Sequence, residues 1–97
     1  MKRAKFIEPA RREFLEEVAY YDEQQARLGA AFVREIEEAI ARALEFPETG
    51  SPATKSTKRV FVKKFPFSIV YRPDHEGIIV FAIAHHSRRP DYWTLRL

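Results

Sequence analysis

The stretch Ala84-His85-His86-Ser87-Arg88-Arg89-Pro90-Asp91-Tyr92-Trp93 gathers two imidazoles, two guanidiniums and two aromatic rings within ten residues. Such groups can grip a phosphate through charge-assisted hydrogen bonds, stack on a base or anchor a protein partner. Upstream, Arg59, Lys63, Lys64 and Arg72 add the cations that an anionic partner would require. Acid–base work at a bound phosphate would also need one group to take a proton and another to give one. After residue 54 the only carboxylates are Asp74, Glu76 and Asp91, so His85 or His86 would have to serve, with Tyr92 stacking on a base. Strand alternation sets His85 with Ile79, Phe81 and Ile83, and His86 with Val80, Ala82 and Ala84. At most one of the two then shares the cationic surface, and the other is structural. Adjacent histidines on opposite faces, with no third ligand nearby, predict no metal site, and no motif asks for a cofactor.

These side chains must be held by the elements around them. Arg3 to Ile7 alternates as a short first strand, and Glu8-Pro9 reads as a helix start, because proline's missing N–H has no partner there in any case. Ala10, Phe14, Val18 and Tyr21 then form one apolar face, Asp22 to Gly29 breaks the pattern, and Phe32, Ile36, Ala39, Ile40, Ala43 and Leu44 form a second. Pro47 ends that helix near Glu45 or Phe46. Two helices with a brief connection predict an antiparallel hairpin. Glu48 to Lys58 reads as a loop, and Arg59–Lys63, Phe67–Arg72 and Ile78–His85 as three strands separated by Phe65-Pro66 and by Pro73-Asp74-His75-Glu76-Gly77. Both parities are apolar between Ile79 and Ala84, which predicts a strand covered on both faces. The expected architecture is α+β, in the order β-α-α-β-β-β, with the first strand and the helical hairpin packed on an antiparallel meander. Tyr20 and Tyr21 are expected to pack against the sheet and hairpin turn. Trp93 can either pin the tail to the core or face a partner, and Arg72 can pair with Asp74 or Glu76.

Composition narrows the function classes. Ninety-seven residues, 45% hydrophobic and 32% charged, suit one domain over residues 1–97. The absence of cysteine excludes disulfides and thiolate metal sites. No apolar stretch follows the basic start, and the longest uncharged apolar run, Gly77 to Ala84, is far short of the ~20 residues that cross a bilayer, so a cytoplasmic protein away from membranes is expected. Residues 1–54 hold eight Lys/Arg against eleven Asp/Glu, a balance of −3, whereas residues 55–97 hold nine against three, a balance of +6. The basic half can draw in polyanions or acidic protein surfaces, unless its cations merely solvate the sheet's outer face.

Several phrases together carry a resemblance. They are Glu17-Val18-Ala19-Tyr20-Tyr21, Phe46-Pro47-Glu48-Thr49-Gly50, Arg59 opening the meander, Phe65-Pro66-Phe67-Ser68-Ile69-Val70-Tyr71-Arg72, and Ala84 to Trp93. In this order the chain resembles RelE/ParE-superfamily toxins of type II toxin–antitoxin systems, with the Tyr-Tyr pair, long hairpin and Phe-Pro-Phe phrase nearer the ParE, plasmid-stabilisation side. The resemblance implies a growth-arresting toxin neutralised by a cognate antitoxin, ParD-like or otherwise of ribbon-helix-helix type, in a hetero-oligomer. A ParE-like chain would bind DNA gyrase without covalent chemistry. A RelE-like chain would cut mRNA on the ribosome, here with Arg59, Arg72, His85, Arg88 and Tyr92. A third implied possibility is an inactive member that only binds its antitoxin. Under any of these, Arg59, Lys63, Lys64, Arg72, His85, Arg88 and Arg89 are the expected contacts with the target or an anionic partner.

Overall fold

Pro9 stands in the first turn of helix α1 (Glu8–Gln24), where Ile7 is the cap and no amide donor is missed. The chain reverses at Arg27, which takes a left-handed φ of 70°, and enters α2 (Leu28–Glu45). The Gly29 N–H donates to the Asp22 carboxylate at 2.9 Å, closing the hairpin. That carboxylate fills the space a Cβ at position 29 would need. A computed structural model describes residues 2–97, and it places the sequence-predicted apolar stripes of both helices against one core. Phe14, Tyr21, Phe32, Phe65 and Phe67 meet there ring to ring, with Phe32 5.2 Å from both Phe65 and Phe67 between centroids. Tyr20 departs from expectation: it is 53% exposed and meets the Tyr21 ring edge-on, because it lies one step off the buried stripe.

The sheet has the order β1-β5-β4-β3-β2. Strands β3 (Lys58–Phe61), β4 (Phe67–Asp74) and β5 (Gly77–His85) form the expected antiparallel meander. Strand β1 (Arg3–Phe6) pairs parallel to β5, so the sheet is mixed. Its approach explains Gly77, whose φ of 140° suits glycine and whose missing side chain leaves room for the Arg3 backbone. Within the segment read as a loop, Ser51–Pro52 forms a two-residue strand, β2, on the edge of β3, where proline's lack of a donor is tolerated. Strand β3 ends before Lys63, which therefore lies in the following turn.

One irregularity decides which side chains meet. Val70 pairs with Ala82 but Tyr71 with Val80, so Phe81 is an extra residue in β5, a β-bulge. Ile78, Val80 and Ile83 face the helices, whereas Phe81 and Ala82 both join Val70 on the opposite side. The bulge reverses the alternation past it. Both faces of β5 are covered, the second by Trp93, a little core with Val70, Phe81 and Ala82. Among the described residues no helix is long and apolar enough to cross a membrane.

Candidate functional site

Strand β1 stops covering β5 near Val80, whose carbonyl takes the Ile7 N–H at 3.1 Å. Beyond that point two side chains complete the edge. The Ile83 N–H donates to Glu13 Oε1 at 3.1 Å, and Arg96 Nη1 donates to the Phe81 carbonyl at 3.0 Å. Glu13 and Arg96 also join each other through paired bonds of 2.9 and 2.8 Å, the fork geometry that suits guanidinium and carboxylate. The Tyr92 hydroxyl donates to Glu13 Oε2 at 2.8 Å, and Arg88 lies 3.7 Å over the Tyr92 ring while reaching the same oxygen at 3.5 Å. Burial, then the hydrogen bond to Glu13, push the Tyr92 hydroxyl far above the ordinary tyrosine range. The bond to Glu13 likewise raises Arg96 and keeps it charged. Helix α1 thus clasps the tail back onto the sheet.

The clasped tail encloses a groove. Trp93, 1% exposed, turns its indole N–H to the Pro90 carbonyl at 3.1 Å and lines the groove with Val70. The groove, about 220 Å³, opens between this tail and β3 and is bordered by Arg59, Phe61, Ser68, His86, Arg88 and Arg89. Arg59 reaches it because its strand position opposes Val70, on the side away from the helices. Its Nε is buried without a hydrogen-bond partner among the described residues. His86 Nε2 lies 3.0 Å from Ser68 Oγ, and its ring stands edge-on to Phe61. None of the residues lining the groove is a carboxylate.

The match to known proteins bears on this arrangement. The family described as "ParE toxin of type II toxin-antitoxin system, parDE" matches residues 5–90. The chain belongs to the ParE toxin family. No individual curated protein matches it at a significant level. The family match spans the sheet except the first two residues of β1, the hairpin, Glu13 and most of the groove, while Tyr92, Trp93 and Arg96 lie beyond the matched residues. A ParE toxin is the toxin component of a type II toxin–antitoxin system, and membership implies an antitoxin partner.

In this ParE-family chain the residues singled out by sequence part into separate places. Arg59, Arg88 and Arg89 border the groove. Arg72 does not: its guanidinium lies 5.1 Å over Phe81 and lines a separate hollow with Thr54, Lys55 and Thr57. The ion pairs open to Arg72 are not formed among the described residues: Asp74 accepts the Glu76 N–H, and Glu76 pairs with Lys5 at 2.8 Å and Arg3 at 3.7 Å. Lys63 and Lys64 turn toward α2, pairing with Glu38 at 3.9 Å and with the buried Glu35 at 3.5 Å. The histidine faces are exchanged by the bulge. His86, not His85, shares the groove face with Arg59, Phe61 and Ser68, whereas the His85 ring, at the groove's rim, packs 4.9 Å from Phe67 on the helix side, where it also borders Glu17. His85 Nδ1 accepts the Ser87 N–H at 3.0 Å. Sequence reasoning set Glu13 off the apolar face of its helix and gave Glu13, Phe61 and Arg96 no part in the site.

Glu17 offers a test of the electrostatics. Burial raises its carboxyl above the usual range, opposed by the nearby His85. A raised acid folds best when protonated, so its favourable contribution is full below the ordinary carboxylate pKa and is lost as pH climbs through the raised value. At neutral pH the ionised Glu17 is therefore a burden. Glu17→Gln is expected to raise the melting temperature at pH 7 and to leave it nearly unchanged at about pH 3.5, below the ordinary pKa of Glu. Thermal melts at both values check this, and an equal gain at each would exclude the linkage.

Proposed function

We propose that this chain arrests growth in the cytoplasm by binding DNA gyrase, and that a ParD-like antitoxin of ribbon-helix-helix type neutralises it within a hetero-oligomer. Membership of the ParE toxin family supports a protein-binding toxin. The observation that favours binding over RNA cleavage is the dispersal of the five residues a nuclease would use. Arg59, Arg88 and the edge of His85 border the groove, but Arg72 lies over Phe81, the His85 ring packs against Phe67 with its Nδ1 taken by Ser87, and the Tyr92 hydroxyl is spent on Glu13. Acid–base catalysis needs its groups within hydrogen-bond reach of one reacting centre. The antitoxin side of the proposal rests on charge: an acidic, extended partner suits a second half carrying a balance of +6.

The test is purified toxin added to a gyrase supercoiling assay, alongside ribosomes translating a defined mRNA. Loss of supercoiling with intact message is the expected result. Supercoiling untouched at large molar excess, with no DNA-damage response in expressing cells, would overturn the gyrase assignment. Cleavage at fixed ribosome positions would replace it with the nuclease reading, and unimpaired growth of cells holding folded toxin would point to a chain that only binds its antitoxin. Affinity for the antitoxin should fall as salt rises.

A further inference from the structure

The turn that follows β5 presents an exposed serine bonded to an imidazole. The Ser87 N–H lies 3.0 Å from His85 Nδ1, and Ser87 Oγ lies 2.7 Å from the same nitrogen. An amide N–H only donates, so Nδ1 is the bare, accepting nitrogen and the ring carries its proton on Nε2. The hydroxyl is therefore the donor in the 2.7 Å contact. A serine hydroxyl is a weak nucleophile because it holds its proton at neutral pH, and a base at hydrogen-bond distance removes that obstacle.

The base is held in place. His85 is the last residue of β5, and its ring stands edge-on to the fully buried Phe67, with centroids 4.9 Å apart. On the helix side it shares a hollow with Glu16, Glu17, Tyr20 and Tyr21 of α1. Glu17 is half-buried there, close enough for its charge and that of His85 to act on each other. An imidazolium formed when His85 takes up a proton is thus met by a carboxylate, the third part that a serine–histidine pair needs to hold its base in the charged form. Acid, base and hydroxyl come from α1, β5 and the turn. Ser68, also bonded to a histidine, is only 5% exposed, so a reagent from solvent meets Ser87 first.

We propose that Ser87 is a site of covalent acylation, its Oγ attacking the carbonyl carbon of a small activated ester, with His85 as the base and Glu17 as the residue that positions the imidazolium. The bond between the carbonyl carbon and the leaving oxygen breaks as the Ser87 ester forms. The proton passes from Oγ to His85 Nδ1 and from there to the leaving oxygen, so the donor departs as its free alcohol or phenol and the chain keeps one acyl group. This chemistry stands whether or not gyrase is the toxin's target.

The test is p-nitrophenyl acetate added to the folded chain at neutral pH, read as p-nitrophenolate release and, by mass and peptide mapping, as the residue modified. A burst approaching one equivalent is expected, with the acetyl group on Ser87. Ser51 and Ser56 are exposed but have no imidazole partner among the described residues, and they should react far more slowly. Ser87→Ala should remove the burst at an unchanged melting temperature, since its side chain belongs to neither core. His85→Asn should slow acylation about a hundredfold, the lower end of what a general base contributes. Glu17→Gln should slow it about tenfold, as loss of one nearby charge does, with Glu17→Asp closer to the parent. The glutamine variant is expected to be more stable than the parent at pH 7, so a slower rate there is not a loss of fold. Acetyl groups spread over the lysines, with Ser87 no faster than Ser51 and Ser56, would overturn the proposal. So would an equal burst from the parent and Ser87→Ala, or equal rates for the parent and His85→Asn.

Discussion

Replacing Glu13 with alanine is expected to lower stability by about 3 kcal/mol, the lower end of what breaking a buried ion pair costs. For a domain of this size that loss corresponds to a fall of about 12–24 °C in melting temperature. The reason is the number of donors left without an acceptor. Arg96 loses both of its carboxylate bonds, and the Tyr92 hydroxyl and the Ile83 amide lose theirs as well. The side chains of Glu13 and Arg96 are only 13% and 19% exposed, so water replaces these bonds poorly. Glu13→Gln retains an acceptor for Ile83 but turns an amide donor toward Arg96, so its loss should be smaller yet clear. Removing Arg96 together with Glu13 should cost at least about 1 kcal/mol less than the two single changes added, since each leaves the other's charge stranded. Denaturant unfolding of the four proteins checks this. A Glu13→Ala variant within about 0.5 kcal/mol of the parent would remove the clasp from the account.

Trp93→Ala is expected to cost about 3 to 5 kcal/mol, as loss of a fully buried tryptophan does. Against the roughly 5–15 kcal/mol that hold a small domain together, that is a large share. The damage should be local in the first instance. Trp93 closes a core made with Val70, Phe81 and Ala82, whereas the helix-side core contains none of these four. Hydrogen exchange should therefore speed up along residues 87–96 while the amides of β4 keep their protection. Glu13 and Trp93 hold the same segment, so once one is removed the other has little left to hold. The double variant should be scarcely worse than the more damaging single variant. Full additivity, or equal loss of protection across β4, would show that the tail is not a separate unit.

Much of the fold was legible because its signals are local. Ala10, Phe14, Val18 and Tyr21 repeat at helical spacing, Pro47 stops the second helix, and Pro73 to Gly77 marks the last hairpin. The apolar run from Ile79 to Ala84 announced a strand covered on both faces, and it is covered on both. The histidines were grouped rightly with Ile83 and with Ala82 and Ala84, but wrongly with Ile79, Val80 and Phe81, for one reason. Counting by twos assumes an unbroken pleat, and the extra residue at Phe81 changes the parity of everything after it. No residue type at Phe81 signals this, because a bulge is defined by its partner strand. Glu13 escaped notice for a different reason. On its helix it is one of several exposed-looking acids, and its partners Ile83 and Arg96 lie 70 and 83 positions away. Lys63 was grouped with the other cations because a strand was carried two residues too far, and Lys64 because it follows it; the turn there swings them to Glu38 and Glu35.

Strand β5 is bordered by β1 over one half and by Glu13 and Arg96 over the other. In the time order of synthesis, residues 3–6 must wait for a strand made some seventy positions later, and that strand must wait again for Arg96. The helical hairpin can form early, being built from local contacts, but the sheet's last unsatisfied edge closes only with residue 96. Until residue 96 has been made the chain is thus a weakly held toxin, open to proteolysis, and it gains strength in one step when that residue arrives.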